Sequence, residues 1–599
     1  MSPSSRTGSC PTESHSSASI AANRSWVGGC HDHRRFSANS SSPMRESGRT
    51  ARTVNRRIAF TASTVVPAGC DHVSRAGTPG GTGKSCRLTT SGDYARAMAQ
   101  RSSGPHDGLT SRIPIVDVWP TVQCGLRPAT AAVGESLPVR ATVFRDGHLP
   151  LTVEVRTIDP SGAPAASVRM HPDPAGVDRW MGAITVDAMG DWAFTIHAWS
   201  EPWRAWLQRA QVKIPADIDV DFELAEGVSI MSRTLKRLPR AATDARATLK
   251  AALTAMRNRS LPAAVRLAAA DTDDVTSAMD AHALRTEESK SGPWPLRVQR
   301  RRALVGAWYE FFPRSEGASL ADARSGTLAS AAERLPRIAE MGFDVVYLPP
   351  IHPIGTTNRK GHNNTLQAEA GHPGSPWAIG SSDGGHDAIH PDLGTWSDFD
   401  DFVARARELD MEVALDLALQ ASPDHPWVSE HPDWFGKRHD GSIAYAENPP
   451  KKYQDIYPLY FETDPDGLYA EIERIVRLWM QHGVRIFRVD NPHTKPLWLW
   501  DRLIASINAT DPDILFLAEA FTKPPMMKAL AEVGFQQSYT YFTWRNSKHE
   551  ISEYLSELAG PASAYMRPNL FTNTPDILHE YLQHGGPAAF SIRATLAAT

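Results

Sequence analysis

The sequence predicts a multidomain α/β protein: an incomplete (β/α)8 barrel preceded by an all-β sandwich and a helical insertion. Three observations predict it. Short β-branched runs between Gly, Pro and Asp turns fill residues 113–199. An Ala- and Arg-rich stretch with apolar residues three and four apart follows, from about Asp217 to Leu284. Beyond it, seven strand-like runs alternate with helical ones. Parallel neighbours need crossover helices, so that alternation implies a parallel sheet. Regular repeats with polar residues at the strand ends favour a barrel over a doubly wound sheet.

At 599 residues the chain is long enough for several domains. Hydrophobic residues make up 41% and charged residues 22%, which argues against wholesale disorder. The formal net charge of -4 argues against a dedicated nucleic-acid binder. There is no run of about 18 apolar residues, so no membrane-spanning helix is expected. The 17 tryptophans suit sugar stacking as well as ordinary core. Four of the five cysteines (Cys10, Cys30, Cys70, Cys86) lie in the first hundred residues, leaving only Cys124 in the globular part. That rules out a disulfide framework there and fits a reducing, cytoplasmic setting.

Residues 1–108 read as a disordered Ser/Arg-rich tail. The first fifty include 14 serines, and the first hundred carry 13 Lys/Arg against 5 Asp/Glu. Thr82-Gly83-Lys84-Ser85 imitates a phosphate-binding loop, but Thr78 stands where the motif needs Gly and no strand precedes it. Cys30, His31 and His33 imitate a metal cluster without a second paired set. Neither is taken as a site.

The β-sandwich is expected over 109–216, from runs such as Ile113–Trp119, Leu137–Phe144, Leu151–Arg156, Ala183–Val186 and Trp192–Trp199. The helical insertion or linker is expected over 217–296, with Ala241–Met256 as its clearest helix. The barrel is expected over 297–599, with a long loop subdomain at about 421–462. Its strands read as Leu304–Phe312, Val345–Leu348, Val413–Leu417, Val484–Val489, Ile514–Leu517, Gln537–Phe542 and Asn569–Thr572. Helices read as Leu328–Met341, Asp398–Leu409, Gly467–His482 and Leu497–Ile507.

Carboxylates gather where strands end. The fourth strand ends in Asp490, the fifth in Glu519, and Asp576 follows the seventh. Barrel enzymes carry their chemistry at that face. Arg488 lies two residues before Asp490, on the same side of the strand, and can hold it ionised. Retaining glycosyl transfer needs two carboxyl groups roughly 5–5.5 Å apart. Neighbouring strands about 4.8 Å apart supply that spacing. Capping of the following helices is the competing use of such carboxylates.

Phe487–Lys495 resembles the nucleophile region of the α-amylase superfamily, Leu517–Glu519 its acid/base region, and Thr574–Asp576 its transition-state-stabilising region. Leu415–Gln420 occupies the strand-three region. Within the superfamily, the chain is similar to the bacterial maltosyltransferase family that extends α-1,4-glucan from α-maltose 1-phosphate. Tyr347–Gly355, Asn358–Asn364, Gly384–Pro391 and Glu447–Asp455 carry that similarity, which covers about 112–599. Gln420 and Pro575 replace histidines of ordinary amylases, and the family shares both changes.

The resemblance implies Asp490 as nucleophile, Glu519 as proton donor and Asp576 as transition-state stabiliser, with Arg488 beside them. It implies substrate contacts from Lys360, Gln420, Asp455, Asn491, Asn448, Lys451 and Tyr453, with His386 and Asp387 as candidates for the terminal sugar. It implies no cofactor, no metal, α-maltose 1-phosphate and α-1,4-glucan as partners, and a homodimer. The family continues through an eighth strand and a C-terminal β domain, whereas this chain stops at Thr599. A truncated, open-edged barrel of low solubility and activity is therefore expected. The alternatives are another glucan hydrolase or isomerase of the superfamily, and an inactive glucan-binding or dimerising fragment.

Overall fold

The computed structural model describes residues 111–599, apart from 148, 320, 321 and 323. The expected tail and its two imitation motifs lie outside the described residues.

The first sheet contains β1 (Ile115–Trp119), β2 (Ala129–Ala132), β3 (Ser136–Val143), β4 (Leu151–Ile158), β5 (Pro164–Pro172), β6 (Arg179–Thr185), β7 (Gly190–Ser200) and β8 (Thr286–Gln299). Their spatial order is β1-β3-β6-β5-β4-β7-β8-β2. Every pair is antiparallel except β2 with β8. Strict alternation builds its core. On β3, Leu137, Val139, Ala141 and Val143 are buried, while the residues between them are partly exposed. They pack with Val153, Val155, Phe194, Ile196, Leu296 and Val298.

Helices Pro202–Lys213, Val220–Arg237, Thr243–Arg257, Ala263–Ala268 and Asp273–Ala281 connect β7 to β8. They share a separate core that includes Trp203, Trp206, Met231 and Leu253. Two features depart from the sequence reading. Helix begins at Pro202, upstream of 217, because Trp203, Trp206 and Ala210 lie on one helical face. Residues 286–299 form a strand rather than the end of a helical segment. Their polar first half and their prolines 293 and 295 hide any period, and pairing with the long β7 decides their conformation.

The second sheet begins with β9 (Trp308–Glu310), β10 (Val345–Leu348) and β11 (Glu412–Leu417). Four short strands follow in a loop subdomain: β12 (Gln420–Ala421), β13 (Ala446–Asn448), β14 (Lys451–Tyr453) and β15 (Tyr457–Pro458). The main sheet resumes with β16 (Ile486–Asp490), β17 (Leu515–Glu519), β18 (Gln537–Tyr539) and β19 (Pro568–Asn569). Seven strands lie in the order β19-β18-β17-β16-β11-β10-β9, and every neighbouring pair is parallel. Helices that include Trp396–Glu408, Pro465–Gln481 and Leu497–Thr510 cross between them.

The strands are shorter than their apolar runs. Leu304 and Val305, expected in the first strand, are exposed beyond a 3-10 turn at Arg301–Ala303. The expected helix over 328–341 is two short helices, Leu328–Ala332 and Leu335–Glu340, with Pro336 in the first turn of the second.

Period-two alternation sorts each strand of this sheet. Val346, Leu348, Leu415, Phe487 and Phe516 face the helices, packing with Phe399, Trp479 and Trp500. Trp308, Val345, Tyr347, Ala414, Ile486 and Leu515 face the other way, into the concave interior. The two sheets are tied by Arg567, which donates to the Thr130 carbonyl and to Glu135, both carboxylate oxygens lying 3.0 Å away. Among the described residues, no helix is long and apolar enough to cross a membrane.

Gly227, in helix Val220–Arg237, tests the packing of the helical unit. A β-carbon there would sit inside the Trp206 indole. The Trp206 ring is buried, and its Nε1 donates 2.7 Å to the Glu223 carbonyl, so it cannot swing away freely. Overpacking should therefore outweigh the gain in helix propensity of about 1 kcal/mol. Gly227→Ala is expected to destabilise by about 1–3 kcal/mol in thermal or urea melts.

Candidate active site

The strand ends assemble the site through register alone. Asp490 on β16 pairs directly with Glu519 on β17, and Asp416 on β11 pairs with Arg488 on β16. Arg488 and Asp490 are two apart, so they share the concave face. Arg488 Nη1 donates to Asp416 Oδ2 at 2.8 Å and to Asp490 Oδ1 at 2.9 Å. Its Nη2 lies 3.5 Å from Glu519 Oε1. The Tyr347 and Tyr539 rings flank the guanidinium, with centroids at 5.7 and 5.8 Å. One buried cation thus serves three carboxyl groups.

Asn491 completes the arrangement. It adopts the left-handed conformation, with φ 45° and ψ 53°, which asparagine tolerates better than most residues. From there its backbone N–H donates to Glu519 Oε2 at 3.2 Å, and its Nδ2 donates to Asp490 Oδ2 at 3.2 Å. It therefore bridges the two carboxyl groups.

Burial separates the protonation states. It pushes Glu519 up to about 8; Arg488 opposes the shift, and the negative charge of Asp490 adds to it. Asp416 is raised to about 7 and Glu310, on β9, to about 8, in both cases by burial against the pull of Arg488. Asp576 is exposed and accepts a 2.6 Å hydrogen bond from Thr574 Oγ1. Its charge acts on both Glu519 and Glu310.

A second group lies on the loops after β10 and β11 and on the β13–β14 hairpin. Lys360 is buried, and its Nζ donates to Gln454 Oε1 at 3.0 Å. Asp455 is also buried, and burial raises its pKa against the pull of Lys360. Asp455 Oδ1 is buried and has no hydrogen-bond partner, so a group there stands ready for a hydroxyl donor. Tyr453 is buried in the same patch, and its pKa is raised by burial and by Asp455. Gln420 Nε2 donates to the Trp377 carbonyl at 3.3 Å, and β12, which carries it, pairs with β15 of the same subdomain. Asn448 and Lys451 pair across the β13–β14 hairpin.

His386 and Asp387 are not bonded to the carboxylate cluster. His386 is buried with both ring nitrogens engaged, by His425 Nε2 at 3.0 Å and the Ala418 carbonyl at 2.8 Å. Asp387 is exposed and pairs with Arg474 at 2.7 Å. Reading the sequence missed Asp416, Tyr347, Tyr539, Glu310 and Lys495. The signal for Asp416 was available: one acid inside the apolar run Val413-Ala-Leu-Asp-Leu417, in phase with the concave face.

Residues 111–300 match the family model described as α-1,4-glucan:maltose-1-phosphate maltosyltransferase, domain N/S. The chain is 58% identical over 498 residues to α-1,4-glucan:maltose-1-phosphate maltosyltransferase 1 of Streptomyces coelicolor, covering 83% of this chain and 73% of that one. It is 48% identical over 518 residues to the Mycobacterium tuberculosis enzyme of the same name, covering 82% and 73%. A crystal structure of an α-amylase from Lactobacillus plantarum is 28% identical, with a TM-score of 0.35 over 43% of this chain and 60% of that one. The protein is a glycosyltransferase of the α-amylase superfamily. More narrowly, the chain belongs to the α-1,4-glucan:maltose-1-phosphate maltosyltransferase family.

Asp416→Asn tests the buried charge balance. A carboxyl raised from 3.8 to about 7 on folding stabilises the fold below the lower value and loses that contribution as pH rises through the upper one. Asparagine keeps the acceptor for Arg488 and never ionises. Thermal melts at pH 5 and pH 8 should show the variant gaining on wild type at the higher pH, by about 2–3 kcal/mol. A parallel pH dependence in both proteins would contradict this.

Proposed function

We propose that the site transfers maltosyl units from α-maltose 1-phosphate to the non-reducing end of α-1,4-glucan with retention of configuration. The observation that carries this is the in-register Asp490–Glu519 pair bridged by Asn491. Neighbouring strands lie about 4.8 Å apart, close to the separation of roughly 5–5.5 Å that double displacement needs.

In the first step an Asp490 carboxylate oxygen attacks the anomeric carbon. The bond from that carbon to the phosphate oxygen breaks, and its electron pair leaves with phosphate, which takes the Glu519 proton. In the second step the acceptor 4-hydroxyl attacks the same carbon. The ester electron pair returns to Asp490, and Glu519 takes the hydroxyl proton. Charge is conserved within the site in each half, because Asp490 loses its charge as Glu519 gains one. Arg488 faces both oxygens throughout, so it need not move between steps. Asp576, through its long-range effect on Glu519, fits the stabiliser of the oxocarbenium-like state.

The β13–β14 hairpin packs on the loop after β10, Tyr453 with Ile354 and Gln454 with Lys360, and that pairing suits the donor. Lys360, Gln420, Asp455, Asn448, Lys451 and Tyr453 fit donor contacts there, with the bare Asp455 Oδ1 as the clearest acceptor for a sugar hydroxyl. The engaged nitrogens of His386 and the exposed Arg474 pair of Asp387 favour scaffolding roles for those two over sugar contact.

With α-maltose 1-phosphate and a malto-oligosaccharide, product mass spectra should show acceptors lengthened by two glucose units at a time, with phosphate released in step. One-unit ladders, or products made without the phosphorylated donor, would contradict the proposal. Asp490→Ala should lower the rate at least about 10³-fold and leave the melting temperature within a few degrees. Because Glu519 must be protonated to release phosphate, kcat/KM should fall above about pH 8, close to tenfold per pH unit.

A further inference from the structure

The transfer reaction leaves a buried cation beside the carboxylate cluster without a part. Lys495 ends the short 3-10 turn Pro492–Thr494 that follows β16, and it is only 9% exposed. Its side chain folds back under the turn. Nζ donates to the Asp490 carbonyl and the Asn491 carbonyl, both at 3.3 Å. No ion pair joins it to a carboxylate among the described residues. Burial lowers its pKa, helped by the like charge of Arg488 and opposed at longer range by Asp490, Glu519 and Asp416. A lysine serving only to fill space there would be a poor choice, since an ammonium out of water costs several kcal/mol.

The two carbonyls it holds belong to the nucleophile and to the residue in the left-handed conformation. That conformation is what lets Asn491 reach Glu519 with its backbone and Asp490 with its side chain. Relaxing the turn would break both bonds at once.

We infer that Lys495 is a positioning residue for the transfer reaction: it pins the Asp490–Asn491 turn that spans the two carboxyl groups, and its charge favours the anion on Asp490. The inference rests on the maltosyl-transfer reading. The groups facing Lys495 are Asp490 and Arg488 on β16, Asp416 on β11, Glu519 on β17, and His493 on its own turn.

Lys495→Met and Lys495→Arg test it, with two readouts. Removing a nearby positive charge raises the pKa of Glu519, so the alkaline limb of the kcat/KM profile moves to higher pH. In K495M the shift should be about half to one pH unit, within the range nearby charges produce. Its kcat should fall about 10- to 100-fold while donor KM changes less than about threefold, the pattern of an interaction used in the transition state. Amide exchange of the peptide spanning 486–497 should accelerate. K495R keeps the charge and changes the geometry: its alkaline limb should stay at wild-type pH while kcat falls and exchange rises. K495M with an unmoved alkaline limb and unmoved exchange would overturn the inference. If K495M does not fold, K495R decides: wild-type kcat with wild-type exchange overturns the positioning role. If wild type makes no maltosyl product, the transfer reading fails, and exchange in the 486–497 peptide still judges the hold of Lys495 on the turn.

Discussion

The site depends on one guanidinium. Arg488 is buried in the concave interior with Asp416, Asp490 and Glu519 around it and Glu310 within its field. Four carboxyl groups in one water-poor interior cannot all ionise, and a lone buried cation would be equally unfavourable. Each therefore makes the other tolerable. Arginine suits the position because its planar fork presents several donors in fixed directions, whereas an ammonium would concentrate its charge at one point. Two of its contacts use a single nitrogen, Nη1, which holds Asp416 and Asp490 at nearly equal distance. The outcome is an unequal sharing of protons, with Glu519 pushed up to about 8 by burial beside Asp490.

The remaining structure serves that cluster in layers. Strand register sets which side chains are neighbours, and helices on the convex face supply the aromatic packing that fixes the register. The loop after β10 brings Lys360, and the β13–β14 hairpin and its end bring Tyr453 and Asp455, to one flank. The first sheet contributes no atom to the cluster. It grips β19 through Arg567 and reaches the helical layer through Arg127, which pairs with Asp501. Its Ala-rich helical appendage has a tryptophan-centred core of its own.

The strand-end cluster was legible because its code is local. Asp490 and Glu519 sit at the ends of apolar runs, and Phe487-Arg-Val-Asp490 exposes its alternation directly. Crossover topology then follows from the order of strands and helices. The concave-face partners were less legible. Tyr347, Asp416 and Tyr539 become neighbours of Arg488 only after five separate strands, β10, β11, β16, β17 and β18, are placed side by side, a relation that no window of sequence contains. Residues 286–299 were misread for a related reason, since their conformation is imposed by pairing with β7 and not by local period. Lys495 was hidden differently: five residues past Asp490, it reads as an ordinary solvated lysine until the turn folds its stem inward.

The central claim is that Asp490 becomes covalently attached to the sugar while Glu519 handles the proton. Trapping tests it most directly. The protein is incubated with a fluorinated glycosyl donor whose second step is slowed, digested, and the labelled peptide sequenced by mass spectrometry. A single label on Asp490, absent after prior saturation with the natural donor, is the expected result. A label on Glu519 or Asp576 instead would contradict the division of roles that Arg488 and Asn491 support.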